Sequence, residues 1–109
     1  MEENNQPSLE ELMAMVKKFR DDRDWKQYHT PKDLAISVSL EASELLEIFQ
    51  WSRDELWQKE RIGEIKEELA DVLIYAMMLA DILEIDIGEI IPAKLAKNAG
   101  KYPAPGKEE

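Results

Sequence analysis

The sequence has 109 residues and is acidic, with 24 Asp and Glu against 14 Lys and Arg and a formal net charge of −10 at pH 7. It has no cysteine and one histidine, which excludes disulfides, thiolate zinc sites, cysteine nucleophiles and any site that needs two histidines. The negative charge disfavours binding to duplex nucleic acid. Because the sequence has no long apolar run and no apolar N-terminus, we expect no membrane span and no secretory signal. We expect a single cytoplasmic domain over residues 1–109.

The first half of the chain predicts two helices. Ser8–Glu11 has the form of a capping box, and the apolar residues after it recur with the helical period, which predicts helix 1 to about Arg23. Residues 24–29 are predicted to form a polar loop with embedded aromatic side chains. Thr30–Pro31 then supplies a cap and a proline at the first helical position, so helix 2 follows and runs to about residue 50 or 51.

The second half predicts two further helices and no strand. Residues 52–55 open a short helical piece, and a long helix 3 follows over about residues 61–83. Residues 86–89 start helix 4, which Pro92 is expected to kink or delay. A flexible tail is expected over about residues 104–109. The sequence therefore predicts an all-α fold, a bundle of four to five helices.

Two pairs of acidic residues lie on the apolar faces of the long helices. At about 100° per residue, Glu41 falls inside the apolar stripe of helix 2 and Glu44 on its flank. Glu68 and Asp71 have the same placement on helix 3. Glu47, by contrast, falls on the far side of helix 2, where an ordinary solvated glutamate belongs. An ionised carboxylate on an apolar face is costly unless it is paired or bound to a metal ion.

Carboxylate oxygens without His or Cys favour Mg²⁺, with Mn²⁺ as a substitute. A ferritin-like di-iron site needs Glu-x-x-His on two helices, which a single histidine cannot supply. The alternative is that these acids form solvated faces or ion pairs with neighbouring helices. The spacing alone leaves both interpretations open.

The order of the acids makes the pattern more specific. Glu41-Ala-Ser-Glu44, then 23 residues, then Glu68-Leu-Ala-Asp71 resembles the E-x-x-E…E-x-x-D signature of the all-α nucleoside triphosphate pyrophosphohydrolases, the MazG-like superfamily. The blocks RDWKQYHTPKDLA, SLEASELLEIFQW, EELADVLIYAMMLA and KNAGKYP look like the compact branch that contains dCTP pyrophosphatase. These blocks extend from about residue 23 to residue 103.

The resemblance implies Mg²⁺-dependent hydrolysis of a nucleoside triphosphate, with dCTP favoured, between the α and β phosphates, in a nucleotide-pool house-cleaning role. The products are the monophosphate and pyrophosphate. It makes Glu41, Glu44, Glu68 and Asp71 the catalytic metal ligands, and four carboxylates can hold two Mg²⁺ about 4 Å apart. The nearest alternative substrates are dUTP and phosphoribosyl-ATP. Outside enzymes, the alternative is a non-catalytic helical oligomer or an adaptor for partner helices.

The resemblance also implies substrate contacts. By this resemblance, the nucleobase and sugar are contacted by four aromatic residues, Trp25, His29, Trp51 and Tyr75. Phosphate contacts fall on helix 4 and its end, at Lys94, Asn98 and Lys101. The alternatives are core packing for the aromatic residues, a satisfied loop position for the histidine and a solvated basic stripe for helix 4.

The segment Val72–Ala80 is apolar around the whole circumference of helix 3, which predicts burial on every side. Three other short helices in one chain can hardly cover it. We therefore expect a homo-oligomer, and the resemblance implies a tetramer built as a dimer of dimers, with the sites near subunit interfaces.

Overall fold

The computed structural model describes residues 5–50 and 57–106. Within these ranges the chain is helical and contains no strand, as predicted. The elements are α1 (Leu9–Asp22), a 3₁₀ turn (Trp25–Tyr28), α2 (Pro31–Gln50), α3 (Trp57–Ile82) and α4 (Ile87–Lys101). The predictions for Trp51, for the helical piece at residues 52–55 and for residues 107–109 of the tail lie outside the described residues.

The predicted starts of α1, α2 and α4 are confirmed by their caps. The Ser8 hydroxyl accepts a hydrogen bond from the Glu11 N–H at 3.2 Å, and the Glu11 carboxylate accepts one from the Ser8 N–H at 2.8 Å. The Thr30 hydroxyl accepts from the Asp33 N–H at 3.1 Å, at the start of α2. Asp86 accepts from the Gly88 N–H at 2.9 Å, at the start of α4. Each cap satisfies a backbone donor that the first helical turn leaves without a partner.

Two helices differ from the prediction in detail. α3 begins at Trp57, and its backbone departs from helical geometry at Arg61 (φ −119°, ψ 16°), the residue where the sequence predicted the start. α4 is not delayed by Pro92 and continues through it to Lys101. Pro92 lies in the second turn, so the helix loses one hydrogen bond there, to the carbonyl of Gly88.

The core lies between α2 and α3, which run antiparallel. Arg61 of α3 lies opposite Ile48 of α2, whereas Glu68 lies opposite Glu41. The buried apolar side chains are Leu34, Ile48, Met78 and Ala80. The antiparallel arrangement therefore places the middle of α2 against the first half of α3, where the acidic residues lie.

A buried arginine connects α1 to α3. Arg20 is 1% exposed, and its Nη1 donates to Asp81 of α3 at 2.7 Å. Its Nε donates to Asp21 at 2.9 Å. Lys17 lies 3.6 Å from the second carboxylate oxygen of Asp81. These ion pairs fix the end of α1 against the last turn of α3.

Large apolar side chains remain exposed in the single chain. Leu73, within the apolar segment of α3, is 54% exposed and lines a groove of about 430 Å³ between α1 and α3. On α4, the exposed apolar side chains are Ile90, Ile91 and Leu95. A single chain therefore does not bury α3 on every side. In the part of the chain described, none of the helices combines the length and apolar character needed to cross a membrane.

Candidate metal centre

Three carboxylates from two helices converge in the middle of the α2–α3 pair. Glu41, Glu44 and Glu68 each present an oxygen, and these oxygens all lie within 4.8 Å of one another. Glu41 and Glu44 are three residues apart and so share one side of α2. Because α3 runs antiparallel, Glu68 meets them across the helix interface.

The approach of like charges perturbs the titration of this group. The pKa of Glu41 is raised to about 7, because the protonated carboxyl donates a hydrogen bond to Glu44, because the site is partly buried, and because neighbouring carboxylates repel its negative charge. Burial is the main cause that raises the pKa of Glu68, and the adjacent Glu44 adds to it. Without a cation, the cluster therefore resists full ionisation.

Two oxygens of the cluster point to a cation. Oε2 of Glu41 and Oε2 of Glu68 are buried and have no hydrogen-bond partner among the described residues. A buried acceptor without a partner is costly, and an ionised carboxylate can only accept. A divalent cation held by these carboxylates would satisfy both oxygens and reduce the repulsion. The all-oxygen donor set suits Mg²⁺ or Mn²⁺.

Asp71, the fourth predicted ligand, is half-buried and is not part of the group of three convergent oxygens. It nevertheless lies close enough for its negative charge to raise the pKa of both Glu41 and Glu68. The structure thus brings three of the four predicted acids together and places Asp71 beside them as a further negative charge.

An open cleft of about 400 Å³ adjoins the cluster. Its lining consists of Ile48, Arg61 and five glutamates, Glu44, Glu47, Glu64, Glu67 and Glu68. Glu47 is exposed, as expected, and is not part of the carboxylate group, but it lines this cleft beside Glu44, which was not expected. Glu47 lies about 60° beyond Glu44 around α2, and the cleft opens on that side.

The predicted nucleobase residues of the 3₁₀ segment lie away from the carboxylates. The Trp25 ring contacts Phe19 edge-on at 5.5 Å and His29 at 6.4 Å between centroids. Burial and the nearby positive charge of Arg20 lower the pKa of His29. The start of α2 lies about 15 Å along the helix from Glu41, and neither Trp25 nor His29 lines the cleft beside the carboxylates.

The other predicted substrate residues that the structure describes belong neither to the carboxylate cluster nor to the lining of the cleft. Tyr75 is half-buried, one turn beyond Asp71 on α3. Of the α4 set, Lys94, Asn98 and Lys101, none lines the cleft within the described residues. Substrate contacts at these residues, and at Trp25, His29 and Trp51, stay predictions.

Sequence reasoning missed two arginines. Arg20 follows Met13 and Val16 along one face of α1, so its place on a buried stripe was visible in the helical period. Arg61 precedes Glu68 by seven residues, a spacing that places both on one face of a regular helix. That spacing was the available signal for a cation beside the cluster.

Comparison with known proteins identifies the fold and its relatives. The sequence model of the MazG-like family matches residues 36–109. The chain is 35% identical to dCTP pyrophosphatase 1 of Rattus norvegicus over 103 residues, which cover 90% of this chain and 61% of that protein. For dCTP pyrophosphatase 1 of Homo sapiens the identity is 35% over 104 residues, with coverage of 91% and 61%. The chain thus spans 61% of the length of these curated relatives.

A solved structure matches over almost the whole chain. The crystal structure of a pyrophosphatase from Archaeoglobus fulgidus superposes with a TM-score of 0.84 at 45% sequence identity. The match covers 95% of this chain and 100% of that one. The helical arrangement described above is therefore shared with a solved protein.

Proposed function

The chain belongs to the MazG-like family, and we propose that it is a Mg²⁺-dependent nucleoside triphosphate pyrophosphohydrolase. Its proposed substrate is dCTP, cleaved between the α and β phosphates to dCMP and pyrophosphate. The observation that carries this proposal is the group of Glu41, Glu44 and Glu68, with two buried oxygens that lack a partner among the described residues. The names of the relatives, dCTP pyrophosphatase 1 and pyrophosphatase, support the substrate and the product.

In this proposal the residues have distinct roles. Glu41, Glu44 and Glu68 hold the metal, and Asp71 adds a fourth negative charge beside it. When bound, Mg²⁺ supplies charge neutralisation for the triphosphate and lowers the pKa of a coordinated water molecule. Glu44 is the exposed member of the group and also lines the cleft, so it is the residue proposed to accept the proton of the attacking water.

We further propose a homotetramer, built as a dimer of dimers. The exposure of Leu73, the apolar groove between α1 and α3 and the exposed apolar side chains of α4 support association. As the resemblance implies, the sites are proposed to lie near subunit interfaces. A cytoplasmic role in nucleotide-pool house-cleaning completes the proposal.

A substrate panel tests the function. The purified protein is incubated with Mg²⁺ and dCTP, CTP, dUTP or phosphoribosyl-ATP, and the nucleotide products are separated by chromatography. We expect dCMP to form faster than any other product. Faster turnover of dUTP or phosphoribosyl-ATP would make that nucleotide the substrate instead of dCTP. Equal rates for dCTP and CTP would show that the enzyme has no preference for the deoxyribose sugar. An adaptor would bind a partner helix stoichiometrically in its apolar groove and turn over none of the four compounds.

A further inference from the structure

The cleft beside the carboxylates is strongly acidic but contains one cation. Among the described residues that line it, five are glutamates and one is Arg61. A polyphosphate chain that extends from a metal at Glu44 and Glu68 into this cleft would meet glutamate carboxylates on most of its walls. Arg61 is the lining residue that can attract an anion.

The guanidinium of Arg61 is held at the far end of the cleft. Its Nη1 donates to the carbonyl of Ile48 at 3.3 Å, and its Nε donates to Glu64. The Ile48 carbonyl is among the last four of α2, which lack an intrahelical partner, and a cation at that end also suits the helix dipole. These two contacts use two of the five N–H groups of the side chain.

The remaining N–H groups have no hydrogen-bond partner among the described residues, and the side chain is 44% exposed. Arg61 lies about 10 Å along α3 from Glu68, and both residues line the cleft. The backbone departs from helical geometry at Arg61 itself, which sets its side chain against the end of α2. The guanidinium is thus oriented by two contacts and still has donors for a ligand.

We propose that Arg61 binds the outer phosphates of the triphosphate and the departing pyrophosphate. This inference rests on the proposed function, because it assumes that a metal-bound triphosphate enters the cleft. Arginine suits this role since its planar fork matches phosphate oxygens. The alternative is that Arg61 only connects the end of α2 to the start of α3.

Product inhibition separates the two roles. Turnover of dCTP with Mg²⁺ is measured in the presence of added Mg²⁺-pyrophosphate or added dCMP, for wild type, Arg61→Gln and Arg61→Lys. Loss of a charged hydrogen-bond donor predicts that Arg61→Gln raises the inhibition constant of pyrophosphate by about tenfold or more. The inhibition constant of dCMP should change by less than about twofold, since dCMP lacks the outer phosphates. Arg61→Lys keeps the charge without the fork and should give an intermediate increase for pyrophosphate.

Arg23→Gln is the matched control. Arg23 also donates to a carbonyl near a helix end, that of Phe19 at 2.9 Å, but does not line the cleft. Pyrophosphate inhibition should be the same in this variant as in wild type. Arg61 variants with unchanged pyrophosphate inhibition, or with equal increases for pyrophosphate and dCMP, would overturn the inference alone. A wild-type protein that releases no pyrophosphate from dCTP would overturn the proposed function and this inference with it.

Discussion

Three effects act on the carboxyl of Glu41. Its protonated form donates a hydrogen bond to Glu44, it is partly buried, and it faces the negative charges of Glu44, Asp71 and Glu68. Each effect raises its pKa, and together they bring it to about 7. In a metal-free protein the ionised form of this carboxylate is destabilised, whereas a divalent cation would stabilise it. Substitution of Glu41 is therefore a sensitive test of the site.

Neutralising any of the four acids should remove most of the activity. Glu41→Gln, Glu44→Gln, Glu68→Gln and Asp71→Asn should each lower dCTP turnover by about 100-fold or more, since even the outer partners of metal ligands contribute about 10–100-fold. Steady-state kinetics at saturating Mg²⁺ measure this. Glu10→Gln is the control, because Glu10 is an exposed acid on α1 that does not line the cleft. Near-wild-type turnover in the four site variants would refute the assignment.

The raised pKa of Glu41 predicts how the metal-free protein responds to pH. A carboxyl whose folded-state pKa is about 7, against an ordinary value of 4.5, favours folding below pH 4.5 and loses that contribution as pH rises through 7. In urea unfolding with a chelator, wild type should therefore lose stability relative to Glu41→Gln across this window. The difference between the two proteins reports Glu41 together with the carboxylates that interact with it, and removes the contribution of titrating groups elsewhere in the chain. Parallel stability curves from pH 4.5 to pH 8 would contradict the pKa shift.

The helical rotation of about 100° per residue predicted the residues of the carboxylate cluster but not the residues around it. Glu41 and Glu68 were identifiable because they interrupt apolar stripes, a property of one helix at a time. The position of Glu47 on the cleft was not, because it depends on which flank of α2 the neighbouring helix leaves open. The contact of Arg61 with the Ile48 carbonyl depends on the packing of two helix ends, which no local pattern encodes.

Among the contacts between helices, a buried charge connects α1 to α3. Arg20 is almost fully buried, with Asp81 at 2.7 Å across the interface and Asp21 at 2.9 Å on its own helix. The side chain of Asp81 is 19% exposed and that of Asp21 is 54% exposed. The pKa of Asp81 lies below its ordinary value because Arg20 donates a hydrogen bond to it, although burial opposes the shift.

The two acids around Arg20 form a matched pair of substitutions. Asp81→Asn leaves a buried guanidinium without its partner on α3 and should lower the free energy of unfolding by about 3 kcal/mol. Asp21→Asn removes an exposed partner and should lower it by less than about 1 kcal/mol. Chemical denaturation measures both. A loss of less than about 1 kcal/mol for Asp81→Asn as well would show that α1 is held by its apolar contacts and not by the ion pair to α3.

Helix boundaries were predictable where capping residues specify them. Ser8, Thr30 and Asp86 mark three starts correctly, because a capping side chain acts within one turn. The start of α3 at Trp57, ahead of the predicted boundary at Arg61, and the choice between a kink and a delay at Pro92 were not settled by the sequence. Both depend on what surrounds the helix, since a lost hydrogen bond is tolerated when the rest of the element stays in place.

Considered as a whole, a single chain leaves large apolar side chains exposed at two places. The groove between α1 and α3 and the outer side of α4 both present large aliphatic side chains. Contiguous apolar surface of this kind marks an interaction site in most proteins. The apolar circumference of α3 predicted this exposure, although neither the sequence nor a single chain identifies the partner.

Sedimentation tests the proposed tetramer. At micromolar concentration the protein should sediment with about four times the 12.6 kDa mass of the chain. Leu73→Lys places a charge in the apolar groove and should shift the protein towards smaller species, because an unpaired buried charge destabilises an interface. A wild-type protein that sediments as a monomer would contradict the tetramer. An unchanged assembly in the Leu73→Lys variant would contradict the use of this groove as an interface.

We propose that the carboxylate cluster of α2 and α3 uses a divalent cation to release pyrophosphate from dCTP. The most direct test is to quantify dCMP, pyrophosphate and orthophosphate from dCTP after chelation and again after Mg²⁺ is restored. We predict no turnover with chelator, and equal molar amounts of dCMP and pyrophosphate when Mg²⁺ returns. Orthophosphate as the first product, or turnover that persists in the chelator, would contradict the claim.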